Sequence, residues 1–221
     1  MAKKEHYFTQ FEPERYYHVY NRSVDLKPMF TQPRNYEFFL ERLNKYLTPV
    51  LDVYSYCLMN NHFHLLVKIK DWDVFEEMNN TKSDLTNLDK LSNPKPKILP
   101  DVHQIVSHRF RKMFQSYAMA FNKQENRIGT LFQTPFKRVC VNNERYFIQL
   151  VYYIHANPQL HGFTDDFKTY PWSSYKRVIM PQPSKLKKEE VFEWFGGREG
   201  FIDYHSSSER KIDPDVQLED E

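Results

Sequence analysis

Residues 54–69 read YSYCLMNNHFHLLVKI. Within the stretch His62 and His64 flank Phe63. Side chains alternate faces along a β-strand, so the two imidazoles point the same way. Phe63, Leu65, Val67 and Ile69 then point the other way and make a wholly apolar face. Asn60-Asn61 is a tight-turn dipeptide, because Asn tolerates the left-handed backbone. The stretch therefore predicts a hairpin of strands over 50–59 and 62–70. One face of its second strand is made for a core, and the other carries two imidazoles.

Upstream of the hairpin, 16–21 (YYHVYN) is rich in β-formers and runs into a polar turn, which predicts a first strand. Residues 35–47 carry Tyr36, Phe39, Leu40, Leu43 and Leu47 at spacings of three and four. That is an amphipathic helix, framed by Pro33 and Pro49. Downstream, 71–100 is rich in Asn, Asp, Ser and Lys and contains Pro94, Pro96 and Pro100. It reads as a surface insertion with a short helical turn at 74–78. Residues 102–123 repeat Val106, Phe110, Met113, Phe114, Tyr117 and Phe121 at helical spacing. A fourth strand is expected over 136–141. A third helix is expected over 144–156, entered from Asn142-Asn143 and stopped by Asn157-Pro158. This order predicts an α+β fold, a ferredoxin-like βαββαβ sandwich with an antiparallel sheet, filling 1–176. Residues 177–221 form a C-terminal extension: a short helix over 187–195 closed by Gly196-Gly197, then a polar, acidic tail from 206.

The chain has only five glycines and lacks both G-x-G-x-x-G and P-loop patterns, which excludes the common Gly-rich nucleotide cradles. Cys57 and Cys140 are its only cysteines, too few for a disulfide framework or a thiolate zinc site. No secretory signal and no membrane-length apolar run is present, so the expectation is a cytoplasmic protein with no membrane partner. The net charge is +2, but it is unevenly spread. Between 105 and 150, Arg109, Arg111, Lys112, Lys123, Arg127, Lys137, Arg138 and Arg145 stand against Glu125 and Glu144, a local +6. Cations interleaved with aromatic rings are the footprint of a single-stranded nucleic-acid groove. The loop TLFQTPFKR at 130–138 adds Gln133 and Phe rings to it.

Two imidazoles at i, i+2 on a strand suit either one metal ion or an ordinary satisfied histidine pair. Spacing alone does not choose between them. Without cysteine nearby, an open site for Mg²⁺ or Mn²⁺ fits better than a structural zinc. Tyr117 reads by pattern as a core aromatic, although its helix is the most basic element of the chain.

Six blocks in register carry a resemblance: YHVYNR at 17–22, CLMNNHFHLLV at 57–67, SYAMAFN at 116–122, GTLFQTPFK at 129–137, YIHANP at 153–158 and PWSSY at 171–175. Together they resemble the single-tyrosine HUH transposases, most of all the REP-associated tyrosine transposase branch. The resemblance implies a DNA-nicking strand transferase acting on single-stranded or hairpin DNA. His62 and His64 would hold the divalent ion, Tyr117 would be the nucleophile, and a 5′-phosphotyrosine would form. DNA contacts are expected from Arg22, Arg109, Arg111, Lys112, Lys123, Arg127, Gln133, Lys137 and Arg138. One departure concerns the third metal ligand: a helical turn after Tyr117 stands Phe121, which cannot ligate, and Asn122 and His18 are the neighbouring alternatives. Tyr152, Tyr153 and His155 read as packing residues of the third helix. A catalytically silent hairpin-binding regulator, and a phosphodiesterase using water, are the alternatives on this fold. The DNA target, the metal and the oligomeric state stay open, including whether a homodimer forms in which Tyr117 serves a second copy.

Overall fold

The computed structural model describes residues 8–78, 99–207 and 216. Most of the expected insertion, at 79–98, and nearly all of the acidic tail lie outside the described residues.

Four strands, β1 (Tyr16–Arg22), β2 (Leu51–Leu58), β3 (His62–Ile69) and β4 (Lys137–Val141), form one antiparallel sheet in the order β2-β3-β1-β4. With helices α1 (Pro33–Tyr46) and α2 (Val102–Gln124) between the strands, this is the expected α+β βαββαβ arrangement. Residues 72–78 are also helical. The 54–69 stretch turns where Asn60-Asn61 predicted, and Met59 N–H donates to the His62 carbonyl at 2.8 Å.

The two faces of the sheet build two cores. Phe63, Leu65, Val67 and Ile69 face α1 and α2, whose stripes bring Phe39, Leu43, Val106, Phe110, Met113 and Tyr117. Asp101 caps α2 by accepting a hydrogen bond from Gln104 N–H at 2.8 Å. On the other face lies α3 (Glu144–Leu160), capped by Asn143, which accepts from Tyr146 N–H at 2.8 Å. Short helices α4 (Tyr175–Ile179), α5 (Lys188–Trp194) and α6 (Arg198–Ser206) join α3 there. Phe147, Leu150, Ile154, Val178, Val191 and Phe201 share that second core with Leu66 and Tyr54 of the sheet. Among the described residues no helix is long and apolar enough to cross a membrane.

One helix end differs from expectation. Helix α3 runs through Pro158 to Leu160 rather than stopping at Asn157. It closes on a Schellman motif: Gly162 sits at φ +71°, Gly162 N–H donates to the Gln159 carbonyl, and Phe163 N–H donates to the Pro158 carbonyl. The capping bonds hold the extra turn in place, and that turn carries His161 toward the sheet.

Candidate functional site

Register puts chemistry on the α3 face of the sheet. Directly paired residues of neighbouring antiparallel strands share a face. His64 pairs with Tyr20, and Tyr20 pairs with Lys137; His62 pairs with Arg22. His62, His64, Arg22, Lys137 and Gln133 therefore meet around one small pocket, completed by Tyr20 and Asn21. Five residues read from the sequence as metal or DNA contacts converge here. His62, His64 and Lys137 are nonetheless mostly buried in the fold.

The imidazoles are oriented by their own second bonds. His62 Nδ1 donates to the Asn61 amide oxygen at 2.6 Å. An amide oxygen only accepts, so the neutral ring keeps its lone pair on Nε2. His64 Nδ1 is hydrogen-bonded to His18 Nε2 at 2.8 Å. In both rings Nδ1 is the engaged nitrogen, and Nε2 is buried beside the pocket. For His62 this is the tautomer control that imidazole ligands ordinarily receive from outer partners. His18 reaches His64 from the neighbouring strand β1.

Helix α3 lays one stripe over this pair. Tyr153, Asn157 and His161 follow each other at i, i+4 and i+8, one side of a helix. The Tyr153 ring lies 5.8 Å from His64 and 6.4 Å from His18, and His161 lies 5.2 Å from His62. Asn157 comes between them. It is fully buried, and neither its amide oxygen nor its amide nitrogen makes a hydrogen bond among the described residues. Such an amide costs about 1–3 kcal/mol, so the fold carries an expense here that packing does not explain. Among the described residues no group of three His, Cys, Asp or Glu side chains is placed to hold a metal ion. A site completed by Asn157 combines two imidazoles with an amide oxygen, a donor set that suits a divalent cation with open positions.

Tyr117 is not part of this constellation. It lies in the core between α1 and α2, on the face of the sheet opposite His62 and His64. Its hydroxyl donates to the Met29 carbonyl at 2.5 Å, and burial pushes its pKa upward. Phe121 packs in the same core, stacked on Tyr117. Asn122 is taken up by its own loop, donating to the Gly129 carbonyl at 2.8 Å and accepting from Arg127 at 3.2 Å. Two further residues expected to touch DNA have partners within the chain. The Arg138 guanidinium donates to the Thr9 carbonyl and lies over Phe11 and Phe136 at 5.3 and 5.2 Å, with its pKa lowered by burial. Arg127 is turned inward on Asn122, the Thr130 carbonyl and Asp25. Arg109, Arg111, Lys112 and Lys123 lie off the buried stripe of α2, across the sheet from the histidine pair.

The residues that sequence reading passed over are Tyr153, Asn157 and His161. A signal was present in the helix itself. The i+4 neighbour of Tyr117 is Phe121, which continues an apolar stripe, whereas the i+4 neighbour of Tyr153 is Asn157, a polar side chain on a buried face.

The chain matches no protein-family model and no curated protein. Among solved structures it is similar to a REP-associated tyrosine transposase bound to a REP hairpin, with a TM-score of 0.52 and 13% identity over 81% of this chain and 86% of that chain. At that identity the likeness shows the fold.

Proposed function

We propose that the chain is a DNA strand transferase that nicks and rejoins single-stranded or hairpin DNA, with Tyr153 as its nucleophile. The observation that carries this reading is the α3 stripe over the histidine pair: a tyrosine beside His64, then an unsatisfied buried amide one turn on. A neighbour of the same fold is described bound to a REP hairpin, which supports a hairpin DNA partner.

His62 and His64, through Nε2, and Asn157, through its amide oxygen, would hold a Mg²⁺ or Mn²⁺ ion, whose chemistry when bound is Lewis-acid polarisation of a phosphoryl oxygen. The chain's own residues do the rest. Arg22 and Lys137 bring positive charge to the pocket rim and orient the scissile phosphate. The Tyr153 oxygen attacks phosphorus as the bond from phosphorus to the 3′ oxygen breaks. The DNA 5′ end becomes a phosphotyrosine, and the phenolic proton ends on the released 3′-OH. A 3′-OH attacking the phosphotyrosine reverses the step, so strands rejoin without ATP. That economy agrees with the missing P-loop.

The test is incubation with a pool of labelled hairpin oligonucleotides with unpaired flanks and Mn²⁺. A covalent protein–DNA adduct is expected from the wild type and from Tyr117→Phe, and none from Tyr153→Phe. A second reading, a hairpin-binding regulator without catalysis, is favoured by one observation: Tyr153 is only 3% exposed. It predicts hairpin binding with no adduct from any variant.

A further inference from the structure

A second cavity lies on the opposite side of the sheet from the histidine pair. It is a groove of roughly 590 Å³ between α2 and the 129–136 loop. Its wall holds the rings of Phe114, Phe132 and Phe136, with Phe114 lying 4.9 Å from Phe132 and 5.5 Å from Phe136. Arg111 is exposed and stands on α2 at the same groove. The Ser107 hydroxyl, also in the lining, is buried and makes no hydrogen bond among the described residues. The loop is not loosely hung: Asn122 and Arg127 bond its Gly129 and Thr130 carbonyls, and Gln133 N–H donates to the Arg22 carbonyl at 2.9 Å. Asn21 and Gln133 line both this groove and the histidine pocket, and they are joined by a 3.0 Å bond from the Asn21 amide to the Gln133 carbonyl.

We infer that this groove takes an unpaired nucleotide of the DNA strand that continues into the histidine pocket. The inference rests on the DNA reading given above and adds to it where the strand runs and what holds it. Charge selects the occupant: Arg111 and Arg138 line the groove, and Arg109, Lys112 and Lys123 stand on the same helix off its buried stripe, which fits a polyanion and disfavours a neutral or basic peptide. Aromatic walls with the exposed Arg111 at the rim and Arg138 in the lining match a base and its phosphate. Ser107, Gln115 and Gln133 offer hydrogen bonds to the base edge. The shared Asn21–Gln133 wall makes the groove and the pocket neighbours along one strand.

Two oligomers of equal length and charge test this: oligodeoxythymidine, and an abasic chain with the same phosphates and no bases. The wild type should bind the thymidine oligomer about tenfold more tightly than the abasic one. Ala118→Trp, which fills the groove, should bring that ratio close to one. Arg111→Gln should lower the slope of log affinity against log salt by about 0.7, one phosphate contact on a single strand. Equal binding of both oligomers by the wild type would overturn the inference. So would a base preference that survives Ala118→Trp together with an unchanged salt slope in Arg111→Gln. The outcome is separable from catalysis: a base preference lost on filling the groove stands even where no Tyr153 adduct forms, and a Tyr153 adduct without base preference sinks the groove alone.

Discussion

At the scale of single residues, the proposed chemistry rests on the contrast between two tyrosines and on one asparagine. Tyr117 and Tyr153 are both nearly fully buried, so exposure does not separate them; their neighbours do. Tyr117 spends its hydroxyl on the Met29 carbonyl within a ring-lined core. Tyr153 faces imidazoles. Asn157 is the more telling residue, because a buried amide that makes no hydrogen bond among the described residues is a standing cost to the fold. Replacing it by leucine, of similar volume, removes that cost. Asn157→Leu is expected to raise stability by about 1–2 kcal/mol in chemical denaturation while abolishing adduct formation. A loss of stability would mean that the amide is satisfied in solution and structural.

At the scale of elements, α3 is held from behind by a hydrogen-bond chain. The Ser174 hydroxyl lies 2.7 Å from His155 Nε2, His155 Nδ1 lies 3.0 Å from His205 Nε2, and His205 Nδ1 lies 2.8 Å from the Phe201 carbonyl. The carbonyl only accepts, so with neutral rings each link donates in one direction, from Ser174 through both histidines to Phe201. Burial, reinforced by the neighbouring His205, holds the His155 pKa well below the ordinary histidine range. The chain locks α3 to α4 and α6. His205→Phe fills the space but strands the His155 N–H. It should cost about 1–3 kcal/mol and slow adduct formation by loosening the helix that carries Tyr153, whereas a purely local effect would leave the rate intact. The elements themselves were legible in the sequence: alternation marked the strands, and spacings of three and four marked the helices. The end of α3 was not, because Asn157-Pro158 is a stop signal by local propensity, and the Schellman bonds at Gly162 outweigh it. Tyr153 was missed for a related reason. Taken as a packing helix, α3 gave no cause to ask what Asn157 would bond to. Lys137 and Arg138 show the limit of charge counting: adjacent on one strand, they face opposite ways, one into the histidine pocket and one over Phe11 and Phe136 at the groove on the other side.

At the scale of the whole molecule, the C-terminal helices are part of the second core rather than an ornament. Lys187 N–H donates to the Val53 carbonyl at 3.0 Å, Tyr54 bonds to Glu190, and Phe201 is fully buried against α3. Phe201→Ala should therefore cost about 3–5 kcal/mol in global unfolding, with one transition. A small loss confined to a separate early transition would show that the extension folds on its own. The sheet has thus become a divider. One face holds the histidine pair under α3, the other holds the nucleotide groove beside α2, and the Asn21–Gln133 wall connects them. The most direct measurement of the central claim is mass spectrometry of the proteolysed adduct formed with hairpin DNA and Mn²⁺. A nucleotide remnant is expected on the α3 peptide, at Tyr153. A remnant on the α2 peptide at Tyr117, or no covalent adduct across the hairpin pool, would contradict it.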